Sequence, residues 1–447
     1  MKKSSIFLSV LLIFSIILST AACGGGNSNN APSPSTQTGT ADTEKTGEKA
    51  SGKISFTAIN GGDNEVKAFN EIIENFQKQS AVQVKLESLP NSNDYENIIK
   101  TRFATNDPPD IFYFWSGSNQ YQNMKADTSL VEVTNEPFVN DLTEAIKTYQ
   151  TVDGKIYGIP WGTYNAMGVY YNKSVFEKLN IQLPNNYSEF LDICKKVKDA
   201  GITPVYEAAG TVWPAQIYTL CGFQSIIIPT IGGDEGVEKL IKNELKLQDI
   251  PALKDVFTRY YDLNKSGYMN KDFASATYDM QEEALSSGKA AMAFQADWML
   301  PDIETKYSNV NGIGYFPMPS DTDKGVASLY PPKQIFISKE GKNVAAALEF
   351  ARYLTTTDSL NTWYKYNPGI PVYKSATSSQ YDAQKQIMEY INSDKGMVQI
   401  QLRIKAGFAD FDKICQELII TGDVDKAVKT LNDNYIKDGK DKQIEGF

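Results

Sequence analysis

The chain has 447 residues, a formal net charge of −10 and no histidine. The acidic balance argues against nucleic acid or anionic lipid as a partner. Without histidine there is no Ser-His-Asp or Cys-His catalysis, no HExxH metal site and no His-ligated zinc, and the four cysteines follow no metal or redox spacing.

The first residues read as an export signal. Lys2 and Lys3 precede an almost wholly apolar run over 6–18, long enough for a signal-peptide core but short for a membrane span. Ser19-Thr20-Ala21-Ala22 then lead into Cys23, an arrangement that resembles the lipobox of bacterial lipoproteins, whose cysteine is acylated after cleavage. Thr20 stands where such sequences usually carry leucine. An uncleaved membrane anchor is the alternative, and the short apolar run argues against it. Residues 24–50 are Gly, Ser, Asn, Thr and Pro with scattered charges, too polar to bury a core. As a flexible coil they would reach roughly 30 Å. Residues 1–22 are therefore expected to be a signal peptide, and 23–50 a lipidated cysteine with a disordered tether.

Beyond the tether, strand and helix signals alternate. Residues 54–58 read as a short buried strand, and 60–64 as a polar loop. Val66, Phe69, Ile72, Ile73 and Phe76 share one helical face. Residues 82–86 alternate like a strand, 94–105 read as helix, and Asn106-Asp107-Pro108-Pro109 stops it. A strand follows over 110–115. This order predicts a mostly parallel sheet with helices on its faces and ligands beyond the carboxyl ends of its strands. Farther on, 168–171 is strand-like. Asn186 is placed to cap a helix, with Glu189 completing a capping box and Phe190, Ile193, Cys194 and Val197 forming the buried stripe. Helices are expected at 284–287, 344–354 and 423–435. Cys194, Cys221 and Cys415 are expected to be free thiols.

Several segments, taken in order, resemble the extracellular solute-binding proteins of carbohydrate ABC importers, the broad family that includes maltose-binding protein. They are NDPPDIFYFWSG (106–117), DGKIYGIPWGTYNAMGVYYNKSVFEKLNIQLPNNYSEF (153–190), GKAAMAFQADW (288–298), GYFPMP (314–319), ALEFARYL (347–354) and TGDVDKAVKTLNDNY (421–435). The resemblance implies an α/β, periplasmic-binding-protein-like fold: two α/β lobes with a hinge and an interlobe ligand cleft. By analogy one lobe comprises 51–163 plus 332–358, and the other 164–331 plus 359–447. It further implies closure on a sugar and docking of the closed form on the importer's permease subunits. The protein is expected to be a monomer without cofactor or metal, held at the outer face of the cell membrane through Cys23.

Neutral sugars offer apolar faces and a rim of hydroxyls, which proteins meet with aromatic rings and with carboxylates, amides and backbone groups. Trp115 ends the strand over 110–115, followed by Ser116, Ser118 and Asn119; it could instead pack beneath a loop. Trp161 and Tyr164 fall at the presumed crossing between lobes, where an aromatic can equally pack the hinge. Trp213 lies in a loop before a helix of the second lobe. Asp297 and Trp298 follow a buried strand over 290–294 and precede a helix start at Pro301. There Trp298 is expected to stack on sugar rather than plug the core, and Asp297 to accept hydroxyls or cap the helix. Asp63 and Asn64 sit in the first β-α loop, with helix capping as the alternative. Glu207 and Lys333, with Gln334 beside it, complete the candidate binding set. Trp363 lies on an amphipathic helix and is expected to pack in the core. A secreted glycosidase with two carboxylates, or a receptor for another solute such as a peptide, is the competing reading.

Overall fold

The computed structural model describes residues 50–60, 62–90, 93–142, 144–151 and 154–447. The expected signal peptide, Cys23 and the tether up to residue 49 lie outside the described residues.

The first strand is buried on both faces over 56–59. Ile54, Phe56 and Ala58 turn inward and are at most 2% exposed, while Lys53 faces solvent. The strand β1 (Ser51–Asn60) joins β2 (Ala81–Pro90), β3 (Ile111–Phe114), β4 (Gly158–Pro160) and β10 (Gln334–Ile337) in one sheet of order β2-β1-β3-β10-β4. β1 runs parallel to β2 and β3, and β10 runs antiparallel to β3 and β4. The sheet is thus mostly parallel, as the element order predicts. The Asp63–Gln77 helix lays Phe69, Ile72, Ile73 and Phe76 on this sheet.

A second sheet comprises β5 (Thr163–Asn172), β6 (Thr203–Val205), β7 (Ala290–Ala296), β8 (Ile313–Phe316), β9 (Ala327–Tyr330), β11 (Ile370–Pro371) and β12 (Gly396–Val398). Its order is β12-β9-β5-β7-β6, with β8 and β11 also paired to β5. β5 is buried on both faces: Met167, Val169 and Tyr171 enter one core, and Ala166 and Tyr170 the other. The Tyr187–Asp199, Pro251–Lys265, Phe411–Thr421 and Val424–Asp441 helices close the first of those cores. Cys194, Cys221 and Cys415 are buried there as free thiols. Asn186 does cap its helix, accepting from the Glu189 N–H at 2.9 Å. The Glu189 carboxylate reaches back one residue farther than a capping box requires, to the N–H of Asn185 at 2.8 Å.

The chain passes between sheets over short segments. Trp161-Gly162 joins β4 to β5, and Pro331-Pro332-Lys333 joins β9 to β10. The expected assignment of everything after 358 to the second lobe needs correction. The Thr357–Tyr366 helix packs on the first lobe, where Trp363 lies 4.9 Å from Phe69 and Tyr366 donates to Glu71 at 2.6 Å. Its apolar face, Leu360, Trp363 and Tyr364, needs the Asp63–Gln77 helix to be buried, and the chain stays on this lobe beyond it, where Tyr373 donates to the Pro160 carbonyl and the Lys374 N–H to the Asp141 carbonyl, both at 2.8 Å. Trp363 is therefore a core residue, 2% exposed. No helix among the described residues is long and apolar enough to cross a membrane.

Candidate functional site

Strand register fixes which loops meet. Gln334 pairs with Phe114 on one side and Pro160 on the other, so β3 and β4 end where β10 begins. Trp115, Ser116, Trp161 and Lys333 follow at that edge. In the second sheet Tyr330 pairs with Asn165, and Ala296 with Met167. Tyr330, Asp297 and Trp298 thus emerge where β5 starts. Connections of two and three residues span at most about 10 Å, so the two edges must face each other.

The second lobe presents a run of half-buried aromatic rings along its edge. Tyr278 lies 5.2 Å from Trp213, Trp213 lies 5.9 Å from Trp298, and Trp298 lies 6.0 Å from Tyr330 at an interplanar angle of 89°. The indole N–H of Trp298 donates to Gln295 Oε1 at 3.0 Å, which leaves its apolar faces for other contacts. Burial pushes the Tyr330 hydroxyl up to about 12. On the first lobe Trp115 is half-buried, edge-on to Phe114 at 5.1 Å and to Tyr95 at 5.9 Å.

Buried polar atoms gather at the same edge. Ser116 Oγ, Tyr149 OH, Trp161 Nε1, Tyr164 OH and Gln334 Nε2 are enclosed without a well-formed protein hydrogen bond. Tyr149 lies beside Ser116 and within electrostatic reach of Tyr121, Tyr164 and Tyr330, which puts both lobes in one neighbourhood. Tyr121 donates to Gln334 Oε1 at 2.7 Å, so the amide nitrogen is the group left over. Each such enclosed group costs about 1–3 kcal/mol unless a partner arrives. A hydroxyl-rich guest would supply those partners. Similar atoms on Ser359 and Trp363 belong to the Thr357–Tyr366 helix.

The remaining expected residues divide. Asp63, exposed, and Asn64, half-buried, open the first helix, whose cap position is Gly62 with no side-chain cap. Asp63 there complements the positive end of the helix. Ser118, half-buried, begins the Ser118–Met124 helix; Asn119 follows it, and its side chain is not among those described. Lys333 places Nζ 5.6 Å from the centroid of the Tyr113 ring, and its carbonyl accepts from the Trp161 N–H at 3.0 Å, tying the two crossings together. Trp161 is 0% exposed, stacked on Phe69 at 6.0 Å and edge-on to Trp363 at 5.4 Å. Its ring packs the hinge and offers no free face; only the N–H remains.

Two carboxylates expected at the ligand turn inward instead. Glu207 lies inside the second lobe, where Tyr260 OH and the Ala208 N–H donate to its two oxygens, each at 2.9 Å. Burial pushes it up to about 7. Asp297 accepts from the Ala166 N–H at 2.8 Å and from Gln384 Nε2 at 3.0 Å, fastening β5 to the Asp382–Asn392 helix. Burial pushes it up to about 6. It does not cap the following turn. Both carboxylates are buried, and each accepts from donors of its own lobe. No group of His, Cys, Asp and Glu side chains among the described residues is placed to hold a metal. Tyr149, Tyr278 and Tyr330 are absent from the sequence-based set. Tyr330 could have been found by its place just before the Pro331-Pro332 crossing; the other two carry no local signal.

The profile of the bacterial extracellular solute-binding protein family matches residues 62–360. The multiple sugar-binding protein of Streptococcus mutans is 26% identical over 335 residues, covering 73% of this chain and 77% of that protein. An ABC transporter extracellular-binding protein of Pyrococcus horikoshii is 25% identical and covers 96% of each chain. Among solved structures, the solute-binding protein RafE in complex with raffinose superposes with a TM-score of 0.75 at 22% identity, covering 87% of this chain and 100% of that one. A chitin oligosaccharide binding protein also reaches 0.75, at 20% identity over 87% of this chain and 99% of the other. These likenesses establish the two-lobed binding-protein fold.

Proposed function

This chain belongs to the bacterial extracellular solute-binding protein family, and we propose that it is the sugar receptor of an ABC importer. It captures a saccharide between its lobes and delivers it to a membrane permease. The observation that carries this reading is the run of rings Tyr278, Trp213, Trp298 and Tyr330 beside enclosed hydroxyl, amide and indole groups without a well-formed protein hydrogen bond. Rings suit the apolar faces of sugars, and such enclosed polar groups suit their hydroxyls. Relatives whose names specify sugars support it. The glycosidase reading has no support, since the family is one of binding proteins and Glu207 and Asp297 are engaged inside the protein.

The sequence around Cys23 supports a lipid anchor, with residues 24–50 as the tether and the outer face of the cell membrane as the location. The protein acts as a monomer that closes on its ligand. Of the residues expected at the ligand, Trp115, Ser116, Tyr164, Trp213 and Trp298 are retained in the proposed site, joined by Tyr149, Tyr278, Tyr330 and Gln334. Calorimetry and thermal unfolding with a panel of mono- and oligosaccharides test the assignment. A cognate sugar binds one to one and raises the unfolding midpoint, because it binds only the folded state. Saturable binding of peptides with no response to any saccharide would overturn it.

A further inference from the structure

Val212 has φ 71° and ψ −68°, a tight-turn conformation that β-branched residues almost never adopt. Such a backbone persists only where its surroundings over-determine it, and they do so here from both sides. Upstream, Gln416 Nε2 donates to the Ala209 carbonyl at 2.7 Å. Gly210 is pressed on the backbone of Ser275 and Ala276, so closely that a Cβ would come within 2.5 Å of the Ser275 carbonyl carbon. Thr211 Oγ1 accepts from the Tyr278 N–H at 2.9 Å. Downstream, the Val212 carbonyl accepts from the Ala215 N–H at 3.0 Å, and buried Pro214 and Ala215 lead straight into the Ile217–Gly222 helix. The chain must reverse between these two clamps, and Val212 is where it does so. The next residue is Trp213.

We infer that the strained turn at Val212 is a positioning device that holds Trp213 against Tyr278 and Trp298 as a preset platform for a sugar ring. This inference rests on the proposed function and deepens it by naming what orients one of its rings. The same clamp fixes Tyr278, since Thr211 binds its N–H. A ring held before the ligand arrives need not lose freedom on binding, so affinity gains from the constraint rather than from a new contact. Valine leaves the backbone few conformations and takes this one only under the two clamps, whereas glycine opens many others beside it, so the turn is less firmly fixed.

The test compares Val212→Gly with Val212→Ala in the otherwise unaltered protein, using the best sugar from the panel. Alanine shortens the side chain and keeps the backbone restriction; glycine removes both. Expected are a dissociation constant raised about tenfold in Val212→Gly, mostly through faster release, and one within about twofold of the parent in Val212→Ala. The unfolding midpoint of Val212→Gly should not fall, because the substitution relieves strain. Equal, unchanged affinities in both variants would overturn the inference. Equal losses in both would also overturn it, by tracing the effect to the valine side chain. Calorimetric stoichiometry restricts each affinity to the folded fraction. A parent protein that binds no saccharide rejects the functional reading itself, an outcome distinct from either.

Discussion

The indole N–H of Trp298 donates to Gln295 Oε1, and Gln295 Nε2 donates in turn to Gln281 Oε1, both at 3.0 Å. Gln281 passes the chain on to the Tyr206 carbonyl at 2.8 Å. The ring at the centre of the aromatic run is thus held by a relay through the interior of the second lobe. Trp298 is also packed against both hydrophobic cores while remaining half-buried.

Trp298→Ala is expected to weaken sugar binding by about 1–3 kcal/mol, the scale of a stacked aromatic face. That is about one to two decades in affinity. Stability should fall as well, because the ring touches both cores, but by less than for Trp161→Ala. Trp161 is wholly enclosed, and truncating it should cost about 3–5 kcal/mol. Calorimetry and denaturant unfolding of both variants check this. Normal affinity in a destabilised Trp298→Ala would remove the ring from the site.

Gly162 stands between the sheets with φ 110°, a region open to glycine and strained for other residues. A Cβ there has room, its nearest neighbour being Tyr113 OH at 3.5 Å. The cost of Gly162→Ala is therefore conformational, on the order of 1–3 kcal/mol. A lower unfolding midpoint is expected, with an altered change in radius of gyration when sugar binds. An unchanged midpoint and unchanged closure would show that the crossing relaxes without penalty.

Acidity should stabilise the folded protein in one window. Burial raises Glu207 from 4.5 to about 7 and Asp297 from 3.8 to about 6, so the folded state holds their protons more tightly than the unfolded chain. Their contribution is complete below the unfolded values and is lost as pH rises through 6 and 7. For Glu207 the difference between the extremes is on the order of 3 kcal/mol. Ion-paired Glu87 and Asp382 are held below their usual range by Arg102 and Lys173, so their opposite dependence falls at more acid pH. Unfolding measured between pH 5 and 8 should show declining stability, with a flatter slope in Glu207→Gln. Identical slopes would exclude Glu207 as the source.

Cys23→Ser is expected to release the protein from membranes into the medium, since a tether without acyl chains has little affinity for a bilayer. Fractionation of cells carrying the variant gives the answer. Undiminished membrane association would refute the lipid anchor.

Much of the architecture was legible before any coordinates. The Asp63–Gln77 helix and β2 announce themselves because a buried face imposes a period of 3.6 or 2 on the chain. The mostly parallel first sheet follows from the alternation of such elements. The order of short motifs indicated two lobes, and the loops they pointed to lie at the lobes' facing edges. Which side chains in those loops reach a guest was not legible. Trp161 and Trp298 are both loop tryptophans after a strand. One is enclosed by Phe69 and Trp363, from two separate helices, and the other stands half-open beside Trp213 and Tyr330. Glu207 looked like a ligand residue until Tyr260, 53 positions along the chain, claimed its carboxylate. The Thr357–Tyr366 helix went to the first lobe for the same kind of reason, since the face that buries Trp363 belongs to a helix nearly three hundred residues earlier. Local spacing by itself determined the elements and their faces, because those depend on neighbours a few residues apart. Tertiary structure alone decided which polar atoms were satisfied, because a hydrogen bond is set by whatever partner the fold brings within 3 Å.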